Sequence, residues 1–373
     1  MLKPSELTPA SSNWLASVLA PQLSDVLLVY EGPASVSEAI LEHRFDLVFF
    51  TGSPRVGRLV SAAAARLLTP CVMELGGKSP AIVGAGVNSV ELASERICWA
   101  KIQNAGQTCM APDYVLVDEK HLSSFVSHAQ RTLKSFYPDG PRSSPDLGRI
   151  VSEAHTQRLA SLLEDNGSRI IHGGETDIPG RYVAPTLILN PALDSPIMQE
   201  EIFGPILPII TYKTTEECVQ IAKTSISPLA TYIFDARSRW RNDLVGALPS
   251  TGMVVFNDAY VQAGCCDLPF GGAGTSGHGA YFGEHSYEAF TRKQSVLTAN
   301  DWLWLERTGI DIVRNPPSSN RLYGIDSFSI LRFAILHLPD VDMGITVPNL
   351  ARAIGVMATL GVGFAAGVVW KRR

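Results

Sequence analysis

The stretch Asp46-Leu47-Val48-Phe49-Phe50-Thr51-Gly52-Ser53-Pro54-Arg55-Val56-Gly57, with the segment Cys71-Val72-Met73-Glu74-Leu75-Gly76-Gly77 after it, decides the fold. Residues 46–50 are short, mostly apolar and aromatic, which reads as a buried strand ending in the turn Thr51-Gly52-Ser53. Ser53 suits a helix N-cap and Pro54 the first helical position. Val56, Leu59, Val60, Ala63 and Leu67 then recur at helical spacing until Thr69-Pro70 stops the pattern. Residues 71–75 read as a second strand, punctuated by the two glycines. Strand, helix and strand in this order predict a right-handed parallel unit of an α/β sheet.

Working outward, Asn88 is expected to cap a second helix with Glu91 three residues on, and Leu92, Ala93, Ile97 and Ala100 to trace one face down to Gly106. Cys109 therefore falls on the turn just past a helix. Tyr114-Val115-Leu116-Val117 and Leu207-Pro208-Ile209-Ile210 read as further strands. The Pro/Ser-rich run Asn315-Pro316-Pro317-Ser318-Ser319-Asn320 marks a linker, and no internal repeat is present in the sequence.

At 373 residues the chain has room for more than one domain and a large core. With 46% hydrophobic and 18% charged residues it reads as a folded globular protein carrying one extra apolar segment. A net charge of -5 without a basic stripe argues against nucleic acid as a partner. The six cysteines show neither zinc-site nor disulfide-framework spacing, so a reducing compartment is expected, and the histidines form no ligand grouping, so no metal is assigned. The N-terminus lacks the apolar stretch of a secretory signal. The apolar segment is instead residues 353–370, uncharged and bounded by Arg352 and by Lys371-Arg372-Arg373. As a helix its length is about 27 Å, which predicts a transmembrane tail anchor.

Three positions invite chemistry on their own residues. Gly52 to Gly57 make a strand-to-helix turn whose free N–H groups can meet a phosphate, although the same pattern serves as an ordinary cap with a packing glycine. Cys109, flanked by Gln107, Thr108 and Pro112, suits a thiol presented from a turn, whereas Cys71, Cys98 and Cys218 sit inside apolar patterns and read as core. Glu74 lies in an apolar strand before two glycines that leave space beside it, and burial there would raise its pKa toward the range of a general base.

The segments Phe50-Thr51-Gly52-Ser53-Pro54-Arg55-Val56-Gly57, Glu74-Leu75-Gly76-Gly77-Lys78-Ser79-Pro80, Gly106-Gln107-Thr108-Cys109-Met110-Ala111-Pro112-Asp113-Tyr114 and Glu200-Glu201-Ile202-Phe203-Gly204-Pro205 together resemble the aldehyde dehydrogenase superfamily, in wording closest to its class 3 and fatty aldehyde branch. The resemblance implies an α/β aldehyde dehydrogenase fold: a partial Rossmann-like NAD(P)-binding domain over 1–77, an α/β catalytic domain over 78–295, an extension and linker over 296–352, and the tail anchor over 353–370. It implies Cys109 as nucleophile and Glu74 as the base that activates the hydrolytic water. It implies cofactor contacts from Gly52, Ser53 and Gly57 to the pyrophosphate, from Glu201 and Phe203 to the nicotinamide side, and from Lys3 and Glu6 to the adenosine ribose. An acidic residue at Glu6 favours NAD, with NADP tolerated in this branch. Pro269-Phe270-Gly271-Gly272 and Ser276-Gly277-His278-Gly279 look like the loop bordering the substrate entrance, with His278 a loop residue rather than a catalyst. A homodimer is implied, as is a cytosol-facing catalytic domain at the endoplasmic reticulum, the mitochondrial outer membrane or the peroxisome.

Members of this superfamily carry a long segment ahead of Lys3-Pro4-Ser5-Glu6, including an asparagine that shares the oxyanion with the Cys109 N–H; losing one such donor costs about 100- to 1000-fold in turnover. The sequence therefore leaves two readings open. One is a membrane-anchored oxidation of medium- to long-chain aliphatic aldehydes to acids through a Cys109 thiohemiacetal and thioester. The other is a non-catalytic, truncated remnant that binds cofactor or a full-length partner, with a thiol esterase using Cys109 and Glu74 between them.

Overall fold

Residues 1–224 and 227–296 are described by a computed structural model, in which Met1–Lys293 form one unit. The linker and the apolar run 353–370 lie outside the described residues; among the described residues no helix is long and apolar enough to cross a membrane. Val48–Gly52 (β1), the helix Pro54–Arg66 and Cys71–Leu75 (β2) follow the strand–helix–strand pattern, and β1 pairs parallel with β2. Ser53 caps the helix, its hydroxyl accepting the Val56 N–H at 3.3 Å, with Pro54 next. The buried stripe differs from the expected one: Gly57, Val60 and Ala64 face the sheet and Leu59 is 63% exposed. Small residues let the helix approach closely, so a Cβ at Gly57 would stand 2.5 Å from the Leu75 side chain.

Beyond β2 the chain builds a larger sheet from Pro80–Val83 (β3), Tyr114–Asp118 (β4), Ile170–His172 (β5), Thr186–Leu189 (β8), Ile206–Tyr212 (β9), Ala230–Phe234 (β10) and Met253–Phe256 (β11). Thr176–Asp177 (β6) and Tyr182–Val183 (β7) form a separate antiparallel ribbon. The large sheet runs β11-β10-β3-β4-β9-β8-β5, parallel throughout except for the antiparallel β5 edge. Its central strands are buried on both faces, which is why they read as continuous apolar runs rather than alternating ones. Val90–Ile102 and Leu122–Phe136 cover one face, packing Ala93, Ile97, Phe125 and Leu133 against Val115 and Val117; Glu153–Glu164, Thr215–Lys223 and Ser238–Ala247 cover the other, over Leu116 and Ile210.

The second helix begins one residue later than expected. Ser89, not Asn88, is its cap, accepting the Leu92 N–H at 3.1 Å, and Leu92 is 44% exposed while Ala93, Ser94, Ile97, Cys98, Ala100 and Lys101 are buried. The helix stops at Ile102; Asn104, Ala105 and Gly106 all take positive φ, which reverses the chain before Cys109. Gly277–His278 (β12) returns late in the chain to pair antiparallel with β2, opposite Glu74 and Met73.

Candidate active site

Glu74 is placed by strand register. It lies between Thr51 of β1 and Gly277 of β12, so its side chain leaves β2 on the face opposite the Pro54–Arg66 helix, whose contacts are with Met73 and Leu75. Only 3% of the residue is exposed, and neither carboxylate oxygen has a hydrogen-bond partner. Burial pushes its pKa up to about 8. A carboxyl group held unpaired in the interior is free to accept a proton from something brought beside it.

Cys109 stands on a turn closed by the Ala111 N–H to the Thr108 carbonyl at 2.9 Å. Gln107 staples that turn: its amide donates to the Asn104 and Arg149 carbonyls at 3.0 and 3.1 Å and accepts the Val151 N–H at 2.9 Å. Tyr232 donates to the Met110 carbonyl and accepts from the Gln262 amide at 2.8 Å, fixing the far side of the turn. The thiol is half-buried, and burial first, then the carboxyls of Glu201 and Glu74, raise its pKa to about 11. Three side chains far apart in sequence thus share one electrostatic environment. Cys98 and Cys218 are buried and Cys71 half-buried, whereas Cys265 and Cys266 are exposed.

Glu201 takes the room beside the two glycines. A Cβ on Gly76 would stand 1.9 Å from its carboxylate, so that space serves Glu201 rather than Glu74. The Gly77 N–H bonds the Glu201 carboxyl, yet burial and the nearby Asp113 raise its pKa to about 8. Phe203, two residues on, holds φ at +50° and is 36% exposed. The Gly204 carbonyl after it rests against Gly106, where a Cβ would come within 2.2 Å, so the Phe203 loop and the approach to Cys109 are in direct contact.

The remaining candidate cofactor residues sit elsewhere on the same unit. Lys3 Nζ pairs with Glu6 Oε2 at 2.7 Å, which keeps the Glu6 carboxyl below its usual range. Glu6 helps line a cavity of about 300 Å³ with Pro4, Ser12, Glu31, Gly32 and Pro33. Gly52 and Ser53 are at the turn from β1 into the helix; Gly57 is buried against Leu75. An acidic group in a cavity of adenosine size, an open helix N-terminus at Ser53 and an aromatic ring presented at Phe203 fit a dinucleotide. Among the described residues no cluster suited to a metal ion occurs.

Two features escaped the sequence reading. Lys78, Asp113 and Lys101 are charged yet buried; their signal was a charge at the edge of an apolar strand or helix face. Tyr281 belongs to an aromatic group with Phe49, Phe270, Phe282 and Phe290, ring centroids 4.9 to 5.8 Å apart. Burial, then Glu74 and Cys109, raise its hydroxyl to about 12, so this aromatic wall adjoins the two candidate catalytic groups. His278 is exposed on β12.

Residues 1–296 match the family model described as the aldehyde dehydrogenase family. The chain is 40% identical over 299 residues to the dimeric, NADP-preferring aldehyde dehydrogenase of Rattus norvegicus, covering 80% of this chain and 65% of that protein. It is 38% identical over 333 residues to aldehyde dehydrogenase family 3 member A2 of Pongo abelii, covering 89% of this chain and 67% of that one. A solved structure of Staphylococcus aureus AldH in a substrate-bound state superposes with a TM-score of 0.74 at 40% identity, covering 80% of this chain and 66% of that chain. The chain thus spans about two thirds of the length of these relatives.

Proposed function

The chain belongs to the aldehyde dehydrogenase family, and from that premise we propose that it oxidises aldehydes to carboxylic acids with NAD, NADP being tolerated. The observation that carries this reading is the packing of the Glu201 carboxylate against Gly76, just after Glu74, and of the Gly204 carbonyl against Gly106, just before Cys109, which gathers the three segments on one partly buried site. A nicotinamide dinucleotide, when bound, supplies the hydride acceptor. Lys3, Glu6, Gly52, Ser53, Gly57, Glu201 and Phe203 are the residues that would hold it, with residues 1–77 serving mainly the cofactor and 78–295 the nucleophile. The acidic Glu6 in its cavity favours an unmodified ribose hydroxyl over a 2′-phosphate.

The thiolate fraction of Cys109, its proton having passed to solvent, attacks the aldehyde carbonyl carbon through Sγ and gives a thiohemiacetal oxyanion beside the Cys109 N–H. Oxidation of that carbon to a thioester on Cys109 would need the hydride acceptor that a bound dinucleotide supplies. Glu74, which lacks a competing hydrogen bond, takes a proton from water as the water attacks the thioester, and the acid departs as Cys109 is regenerated. Burial that raises Glu74 toward neutrality makes it a stronger base than an exposed carboxylate once it is ionised.

The substrates are medium- to long-chain aliphatic aldehydes. Support comes from the apolar wall of Phe49, Phe270, Tyr281, Phe282 and Phe290 beside Glu74, and from the uncharged run at 353–370, read as a membrane anchor; on the same reading the protein is a homodimer whose catalytic domain faces the cytosol. Steady-state kinetics with NAD over a series from acetaldehyde to hexadecanal tests this: kcat/KM is expected to rise with chain length. A flat or falling series removes the chain-length assignment, and no oxidation of any member removes the activity.

A further inference from the structure

Four ionisable side chains meet in the interior: Lys78, Lys101, Asp113 and Glu201. Lys78 has no exposed surface, and its Nζ lies 2.5 Å from Asp113 Oδ2 while donating to the carbonyls of Ile197 and Glu200 at 2.7 and 2.9 Å. Asp113 Oδ1 accepts the Ile202 N–H at 3.1 Å and lies 3.6 Å from Lys101 Nζ. From the other side, Arg158 donates to the Glu201 carbonyl at 3.3 Å and to that of Ile202. The backbone from Ile197 to Ile202 is therefore gripped by side chains from three other segments.

Their positions in the chain are telling. Lys78 follows Glu74 closely on the same segment, Asp113 follows Cys109, and Glu200, which Lys78 grips, precedes Glu201. One ion pair thus joins the three segments that bear the candidate catalytic and nicotinamide-side residues. A buried ion pair is a weak source of stability, since apolar side chains of similar volume often serve as well or better. What it supplies in addition is direction, because each bond fixes a backbone atom at a set distance and angle. The strained Phe203, at φ +50°, emerges immediately beyond the gripped residues, where such constraint is needed to keep it in place.

We propose that Lys78 and Asp113 are positioning residues that hold Glu201 and Phe203 against the nicotinamide end of the dinucleotide and beside Cys109. The proposal rests on the dehydrogenase reading above. Its test uses the full chain with two variants: the apolar replacement Lys78→Met with Asp113→Leu, and the nearly isosteric Asp113→Asn, which keeps an acceptor for the Ile202 N–H. Unfolding midpoints, the NAD Kd from protein fluorescence, kcat and KM, and the pH profile of Cys109 alkylation by iodoacetamide are measured together.

The double variant is expected to lower the unfolding midpoint, since Lys101, the Ile197 and Glu200 carbonyls and the Ile202 N–H lose their partners, and beyond that to bind NAD about tenfold or more weakly and to lose about 100-fold in kcat/KM. Asp113→Asn should move the same way to a smaller extent. In both, the alkylation midpoint of Cys109 shifts, because Glu201 is no longer held beside the thiol. Lowered unfolding midpoints with parental NAD affinity and an unchanged alkylation profile would show a purely structural pair and overturn the proposal. If the double variant does not fold, Asp113→Asn decides by the same criterion. A parent chain that fails to bind NAD while the variants still shift the alkylation profile would remove the cofactor reading and leave the positioning of Glu201 beside Cys109 standing.

Discussion

Glu74 sets two opposite demands on pH. Its pKa in the folded protein is about 8 against an ordinary 4.5, so the folded state retains a proton that the unfolded chain has already released. Stability from this group is full below the ordinary carboxylate range and is lost as pH rises through 8; Glu201, raised for similar reasons, adds to the same trend. The melting temperature is accordingly expected to fall from pH 5 to pH 8, and Glu74→Gln to flatten part of that slope; a parental slope in the variant by scanning fluorimetry would contradict it. Catalysis needs the ionised form, so turnover should rise with pH toward a midpoint near 8. Glu74→Gln should abolish that limb and let an acyl adduct accumulate on Cys109. Cys109→Ser should lower oxidation by about 10,000-fold or more while sparing NAD binding. Intact and peptide mass spectrometry after mixing with aldehyde and NAD checks the adduct: finding it on the exposed Cys265 or Cys266 would move the nucleophile elsewhere.

Among the elements, the glycines decide how closely they approach one another. A methyl group at Gly57 meets the end of the Leu75 side chain at 2.5 Å inside the small core of Val60, Met73 and Leu75, so Gly57→Ala is expected to cost about 1–3 kcal/mol in urea unfolding through overpacking. Gly106→Ala is the stricter case. Its Cβ would face the Gly204 backbone carbonyl at 2.2 Å, and its φ of +73° disfavours any side chain. Here activity should fall further than stability, because the displaced parts are the Phe203 loop and the turn that carries Cys109. Equal losses in both variants, measured as kcat/KM against unfolding free energy, would show that the contact between those two loops has no bearing on the site.

For the whole molecule, the testable property is where the chain resides. The run 353–370 has basic residues at both ends and no charge within. Deleting residues 353–373 should release the protein from carbonate-washed membranes into the soluble fraction while leaving NAD affinity unchanged. Retention of the shortened chain on washed membranes would assign the attachment to another part of the protein.

The sequence by itself determined what depends on local pattern and on residue chemistry. The first strand–helix–strand unit, the caps at Ser53 and Pro54, the buried parallel strands and the placement of Cys109 on a turn all follow from spacing and propensity within a few tens of residues, and the four motifs in order identified the family. Tertiary structure decided what depends on which segments meet. The pattern gave Leu59 and Leu92 to buried faces, but the approach permitted by Gly57 and Ala64, and the close packing of Val90–Ile102 on Leu122–Phe136, turned those helices so that both leucines are exposed. The space after Glu74 looked reserved for Glu74, yet Glu201 fills it from more than a hundred residues away. Lys78 and Asp113 stood in the sequence only as members of two motif segments, and it is the fold that buries them together. Burial and partnership are properties of the assembled chain, because the free energy of a charge depends on its distance to other charges and to water, neither of which is encoded by neighbours in sequence.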